Sequence, residues 1–342
     1  MIPPKKRIKK AGEVLRQADR NSQEFEQAME VLSQWRAMHS YPINTFQATV
    51  RSTVKRLRLK EAVVAQRLKR TPSIIRKLQR FGGMSLSRMQ DIGGLRIILK
   101  SVGDVYRFHD EIVKSRTRFK HKALLPPKDY IACPKPDGYR SIHQVFQYHN
   151  SARPELEGLS IELQIRTHLQ HAWATAVETL GLIEKSSFKT GEGDEDYKRF
   201  FLLASALFAH EEKTQLPEKL AGVPMTDIVS ECLGLESRLQ IFHKLQGISL
   251  TVKHAAIKKG YCLILLDTGE KPKISLIPFE NDIVAAERIY KALENDSRNS
   301  GSTDVVLVSV DGLKNIKAAY PNYFLDTDRF IRKLRGICAE IR

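Results

Sequence analysis

The segment LSIELQIRT (159–167) alternates its side chains as a strand does: Ile161 and Leu163 fall on one face and Glu162 points to the other. Working outward from it, LRIILKS (95–101) and RSIHQVFQYH (140–149) carry the same β-branched, alternating content and read as further strands. VGDVYRFHDEIVKS (102–115), between the first two of these runs, reads as a helix, and helical patterning returns from His168 to Glu184 and from Tyr197 to Thr214. Upstream, Phe25, Met29, Leu32 and Trp35 recur at three-to-four spacing, which predicts an amphipathic helix ending before Pro42. A second helix is expected from about Ile43 to Leu68. The expected fold class is α/β (α+β), a mixed β-sheet flanked by helices across roughly residues 40–215.

TGEGDEDYK (190–198) is a polar, acidic break, and beyond residue 250 the texture changes. YCLILLD (261–267) and KISLIPF (273–279) read as strands joined by the turn-like TGEKP (268–272), and NDIVAAERIYKALEN (281–295) as a capped helix. SGSTDVVLVSV (300–310) supplies a linker and another strand, and 312–337 reads as a helix interrupted at Pro321. The division expected is a basic helical segment over 1–44, a central unit over 45–215, a helical connector over 216–250 and a small α/β unit over 251–342.

Composition excludes several classes. No apolar run approaches the roughly 20 residues that a bilayer needs. MIPPKKRIKKAG (1–12) is basic but is followed by polar residues, so no secretory signal is read and a cytoplasmic location is expected. Cys133, Cys232, Cys262 and Cys338 are widely spaced, which argues against a zinc site or a disulfide framework. The net charge of +17 points toward polyanions, and it is concentrated: residues 1–80 hold 19 Lys or Arg against 6 Asp or Glu.

In RLKRTPSIIRKLQR (67–80) the residues Arg67, Lys69, Ser73 and Lys77 follow the spacing R-x-K-x(3)-S-x(3)-K. Running from a loop into a helical turn, they converge cations and a hydroxyl on one small anion, and a polyphosphate fits. MQDIGGLRI (89–97) sets Asp91 just before a strand, with two glycines that allow close backbone approach and then Arg96. Asp91 and Glu162 on one cleft are hard oxygen donors suited to Mg²⁺ on phosphate oxygens. KDYIACPKPDGYRSIH (128–143) combines rigid prolines, a glycine that relieves the bend, an aromatic ring and surrounding cations, as a base with its phosphates requires.

These three segments and IELQIRTHLQHAW (161–173) resemble, in order and spacing, the motifs of the synthetase domain shared by RelA/SpoT enzymes and small alarmone synthetases, over about 45–215. The resemblance implies a nucleotidyltransferase-like core that moves the β,γ-pyrophosphate of ATP to a ribose 3′-hydroxyl, usually of GDP or GTP. It implies that Arg67, Lys69, Ser73, Lys77 and Arg96 bind ATP, and that Asp91 and Glu162 act in catalysis and hold Mg²⁺. Lys128, Tyr139, Arg140, His143, Gln164 and Arg166 would serve the acceptor, with Tyr139 stacking on its base. WATAVETLG (173–181) departs from the family's usual glutamate position, so Glu178 receives no role and His171 and Trp173 read as packing residues. The pair Tyr320 and Tyr323 in AYPNYF looks like the regulatory Tyr-x-x-Tyr of the fused toxin-antitoxin, CapRel-like branch. That likeness implies a C-terminal unit covering the ATP site, the 3′-CCA end of tRNA as acceptor and a phage structural protein as trigger.

Overall fold

The computed structural model describes residues 3–17, 22–114, 120–184, 195–246, 251–253, 259–267, 273–280, 282–300, 303–311 and 327–341. Its strands are β1 (Val63–Leu68), β2 (Gly93–Leu99), β3 (Lys122–Asp129), β4 (Ile142–Gln147), β5 (Ser160–Thr167), β6 (Thr251–Lys253), β7 (Lys259–Asp267), β8 (Lys273–Glu280) and β9 (Thr303–Asp311). Among the described residues they form one mixed sheet in the order β3-β4-β5-β2-β1-β9-β7-β8-β6. The helices are α1 (Lys5–Gln17), α2 (Gln23–Ala37), α3 (Ser40–Arg56), α4 (Thr71–Arg80), α5 (Val102–Lys114), α6 (His168–Ile183), α7 (Glu195–Glu211), α8 (Met225–Leu239), α9 (Ile241–Gln246), α10 (Ile283–Ser300) and α11 (Asp328–Ile341). This is the mixed, helix-flanked sheet that the alternating segments imply. No helix among the described residues is long and apolar enough to cross a membrane.

β5 pairs in parallel with β2 and antiparallel with β4. Leu95 and Ile97 of β2, Ile142 and Phe146 of β4, and Ile161, Leu163 and Ile165 of β5 share one face, and all are buried. They join a core with Ile43, Phe46 and Val50 of α3 and Val105, Phe108 and Ile112 of α5. Each such side chain contributes about 1.5–3 kcal/mol on leaving water. The intervening positions, Arg96, His143, Glu162 and Gln164, are half-buried on the opposite face. Local signals agree with the tertiary ones. The hydroxyl of Ser22 accepts from the Phe25 N–H at the start of α2, and Thr167 and Gln170 form a reciprocal capping box on α6.

One expectation needs correction and one strand is unanticipated. The helix expected over 43–68 is α3, Ser40–Arg56, with Pro42 in its first turn, where a missing N–H costs nothing. Left-handed backbone at Arg58 (φ 52°) and Glu61 (φ 58°) ends it, and 63–68 become β1, each residue paired with β2. Sheet pairing outweighs the helix-favouring Lys, Arg and Leu around this run. β3 escapes a reading by alternation because it contains Pro126 and Pro127, which sit on the sheet's edge strand at a break in register between Leu124 and Lys128.

Residues beyond 250 enter the same sheet, for β9 meets β1 where Val308 lies opposite Arg67. β7 and β8 form the expected antiparallel hairpin, and α10 packs its Ala286 and Tyr290 with Leu263, Val305 and Leu307. α11 contributes to a core with α6, α7, α8 and α9, where the Phe330 ring centroid lies 5.6 Å from Phe208, 6.0 Å from Phe201 and 6.4 Å from Phe200. Tyr320 and Tyr323 lie outside the described residues. Phe330→Ala should lower unfolding stability by about 3–5 kcal/mol in urea titrations. A loss below ~1 kcal/mol would show that α11 does not complete this core.

Candidate functional site

Strand register assembles the site. Lys128, His143, Gln164, Arg96 and Ala65 lie opposite one another on β3, β4, β5, β2 and β1, a transverse row across the sheet. Two positions along the strand, on the same face, Glu162 lies opposite Gly94 and Val145. A glycine at 94 leaves the space beside the carboxylate open, and the resulting cleft is lined by Ala65, Gln66, Lys69, Asp91, Gly94, Leu95, Arg96, Glu162 and Gln164.

The turn after β1 and helix α4 supply one wall. Lys69 is anchored by its backbone N–H to the Ile92 carbonyl at 2.8 Å, next to Asp91 in the chain. Both Lys69 Nζ and Lys77 Nζ donate to Asp91 Oδ2 at 2.8 Å. Asp91 Oδ1 is buried and has no hydrogen-bond partner among the described residues. Burial pushes the Asp91 carboxyl upward, but the two ammonium groups outweigh it and hold it below the usual carboxylate range, against an opposing push from Glu162. Ser73 is half-buried, one helical turn before Lys77 and so on the same face of α4.

The loop from Tyr130 to Ser141 stands at the edge of the cleft, linked to Glu162 through His143. It is closed by bonds from the Tyr130 N–H to the Ser141 carbonyl (2.9 Å), from the Lys135 N–H to the Tyr139 carbonyl (3.1 Å) and from the Tyr139 N–H to Asp137 Oδ1 (2.9 Å). Gly138 has φ +88° and a Cβ there would stand 2.8 Å from that of Ser205, so both the backbone and α7 require glycine. Tyr139 Oη and His143 Nε2 share a hydrogen bond of 2.8 Å, and His143 Nδ1 donates to Glu162 Oε1 at 2.9 Å. Gln164 Nε2 donates to Glu162 Oε2 at 2.9 Å. The Lys135 ammonium stands 4.5 Å from the Tyr130 ring centroid and 4.9 Å from that of Tyr139.

The sequence-predicted residues thus divide. Lys69, Lys77, Asp91, Arg96, Glu162 and Gln164 line or enter one cleft, with Tyr139 and His143 bonded to its edge and Lys128 exposed on the same row. Arg67 lies in β1 opposite Gly94. Arg140 turns away: it is 2% exposed and donates to Glu212 Oε2 at 2.8 Å and Thr214 Oγ1 at 3.0 Å. Glu212 also accepts from Thr167 and Gln170, so Arg140 ties the loop to α6 and the end of α7. Arg166 is buried as well, and His171 and Trp173 are buried as expected of packing residues. Sequence reasoning missed Tyr130 and Lys135, although both stand inside the quoted loop. It also missed Gln66, hidden in the run read as helix, and Glu212, whose partner lies 72 positions away.

Burial pushes the His143 imidazole down, but Tyr139 and Glu162 outweigh it and lift it to about 9; burial pushes Glu162 up, but His143 and Gln164 hold it at about 2. The Glu162 contribution to stability is therefore present above about 4.5 and lost as pH falls through about 2, while that of His143 is present below about 6.5 and lost as pH rises through about 9. For metal-free protein, raising the pH from 6.5 to 9 should lower unfolding stability by up to about 3 kcal/mol, at ~1.36 kcal/mol per pH unit. His143→Gln should flatten that slope; equal slopes in urea titrations of the two proteins contradict the assignment.

A family model described as a region found in RelA/SpoT proteins matches residues 66–191. The GTP pyrophosphokinase YwaC of Bacillus subtilis is 32% identical over 114 residues, which are 32% of this chain and 52% of that protein. YjbM, a GTP pyrophosphokinase of the same organism, is 34% identical over 119 residues, 34% of this chain and 54% of that protein. The chain thus spans about half the length of these curated relatives. Small alarmone synthetase 1 of Bacillus subtilis, solved with its product pppGpp, is 24% identical with a TM-score of 0.44, over 53% of this chain and 93% of that one. The segment that matches the region found in RelA/SpoT proteins, residues 66–191, carries most of the cleft and the aromatic loop beside it.

Proposed function

We propose that this chain is an ATP-dependent pyrophosphokinase that transfers the β,γ-pyrophosphate of ATP to a ribose 3′-hydroxyl. The observation that carries this reading is the cleft itself: Asp91 and Glu162 share it, with Lys69 and Lys77 on one flank and the Tyr139–His143 pair on the other. Lys69, Ser73 and Lys77, with Arg67 and Arg96, bind the donor phosphates. Arrival of a polyphosphate gives the two ammonium groups a more highly charged partner than Asp91. The orphaned Oδ1 of Asp91 fits a Mg²⁺ ligand, as a carboxylate held ionised in a buried place. Among the described residues no three His, Cys, Asp or Glu groups converge, so most of such an ion's shell falls to phosphate oxygens and water, as is usual for Mg²⁺. Bound there, the ion supplies charge neutralisation at the transferring phosphates.

Glu162, fixed by His143 and Gln164 and held at about 2, is a weak proton acceptor, which favours an electrostatic and orienting role over general-base catalysis. Tyr139 stacks the acceptor base, with Lys128 and His143 near its phosphates and ribose. The relatives' names as GTP pyrophosphokinases favour GDP or GTP as acceptor. A second acceptor, the 3′-CCA end of tRNA, is favoured by the charge of +17 and by α1, on which Lys5, Lys6, Lys9 and Lys10 are exposed. The tRNA-directed, phage-triggered toxin reading, with Tyr320 and Tyr323 as regulators, rests on the likeness of that motif. Incubation with labelled ATP and GDP, GTP and tRNA together decides: label on a 3′ position of any of them supports the reading and names the acceptor, and ATP consumption with no labelled acceptor refutes it.

Glu162→Gln keeps the shape and removes the charge, so transfer by the folded protein should fall at least ~100-fold, with a lowered melting temperature because His143 loses its ionised partner. Near-normal turnover would remove Glu162 from the mechanism. Tyr139→Ala should raise the KM of the acceptor in line with a stacking platform of about 1–3 kcal/mol and leave that of ATP in place. A raised KM for ATP alone would show that the loop serves the other substrate.

A further inference from the structure

The geometry points to Arg36 as a positioning residue of the donor site, acting through the first turn of α4 and completed by Tyr290 of α10. This inference rests on the pyrophosphokinase reading of the cleft. Arg36 lies in the last turn of α2 and is 4% exposed. Its Nη1 donates to Thr71 Oγ1 at 2.8 Å and its Nη2 to Tyr290 Oη at 2.7 Å, while the guanidinium stands 5.2 Å from the Tyr290 ring centroid. A guanidinium taken out of water needs such partners, so it fixes whatever they belong to. Thr71 is the first residue of α4, the ten-residue helix that carries Ser73 and Lys77.

Neighbouring contacts converge on the same half of the cleft. Tyr261 Oη of β7 accepts from Asn44 Nδ2 at 2.8 Å, and Asn44 Oδ1 accepts from Gln66 Nε2 at 2.7 Å. Gln66 lines the catalytic cleft and also the small pocket between α3, β1 and the strands β7 and β9. Ser40 donates to Glu287 of α10 at 2.5 Å, and Val308 pairs with Arg67 of the donor strand. These contacts from 259–311 fall on the donor wall, whereas α11 packs under the acceptor loop with α6 and α7. The region after residue 250 therefore buttresses the phosphate-binding cations through Arg36 and Thr71: if the first turn of α4 shifts, Ser73 and Lys77 shift with it.

The test uses the full chain and Tyr290→Phe, which keeps the ring over Arg36 and deletes the hydroxyl that accepts its hydrogen bond. Amide hydrogen exchange over 71–80 should accelerate while that over 168–183 stays unchanged, and the KM for ATP should rise about 10-fold with the acceptor KM unchanged, since small misplacements of binding groups act at a distance. Unchanged exchange over 71–80 overturns the inference, as does a lowered melting temperature with both KM values intact, because Arg36 would then serve stability alone. Arg36→Lys, which retains the charge but loses the planar fork, should reproduce the ATP defect; wild-type kinetics in this variant count against the inference. If the wild-type chain transfers nothing to any acceptor, the functional reading fails, and the exchange measurement then decides the contact by itself.

Discussion

Everything in the site depends on the placement of β5 between β2 and β4. Because β5 runs parallel to one neighbour and antiparallel to the other, its register sets which residues stand beside Glu162 and Gln164. A slip by one residue would bury the carboxylate beneath α3 and α5 and expose Ile161 and Leu163. The apolar face thus specifies the polar one: the burial that holds the sheet together also decides that Gly94, Arg96 and His143 flank the acidic centre.

On that frame the electrostatics are arranged as two opposed pairings. Asp91 accepts hydrogen bonds from the ammonium groups of Lys69 and Lys77, and Glu162 accepts from the His143 imidazole and the Gln164 amide. Each buried carboxylate is ionised because its own cation lies within hydrogen-bond reach, which is the condition under which burial of charge is tolerated. We propose that substrates exploit this by exchange: a polyphosphate takes the lysines from Asp91, and an acceptor base takes the face of Tyr139 now shared with Lys135. Catalysis in such a site rests on positioning and charge, with no need of a nucleophilic side chain.

Much of this was legible in the sequence, and the failures have physical causes. β2, β4 and β5 were readable from alternation, and the spacing of Lys69 to Lys77 placed both cations on one cleft. β1 was not, because helix-favouring residues surround a run whose strand state comes from pairing with β2. β3 was not, because its prolines are tolerated only at an edge that topology, and not composition, provides. Arg140 misled for a related reason. It adjoins Tyr139 in the chain, yet its direction is set by Glu212, an acid that carries no local motif. The coupling of 259–311 to the donor wall through Arg36 and Tyr290 was equally invisible, since it joins residues 254 positions apart.

In this scheme a bound polyphosphate draws Lys69 and Lys77 away from Asp91, and Asp91 would take Mg²⁺ in their place. Calorimetric binding of a non-hydrolysable ATP analogue, with and without Mg²⁺, to the wild-type chain and to Asp91→Asn tests this most directly. Binding should be strongly Mg²⁺-dependent in the wild type, and in Asp91→Asn it should depend little on Mg²⁺ and be stronger than wild type in its absence, because the lysines no longer have to leave a carboxylate. Equal Mg²⁺ dependence in the two proteins would contradict it.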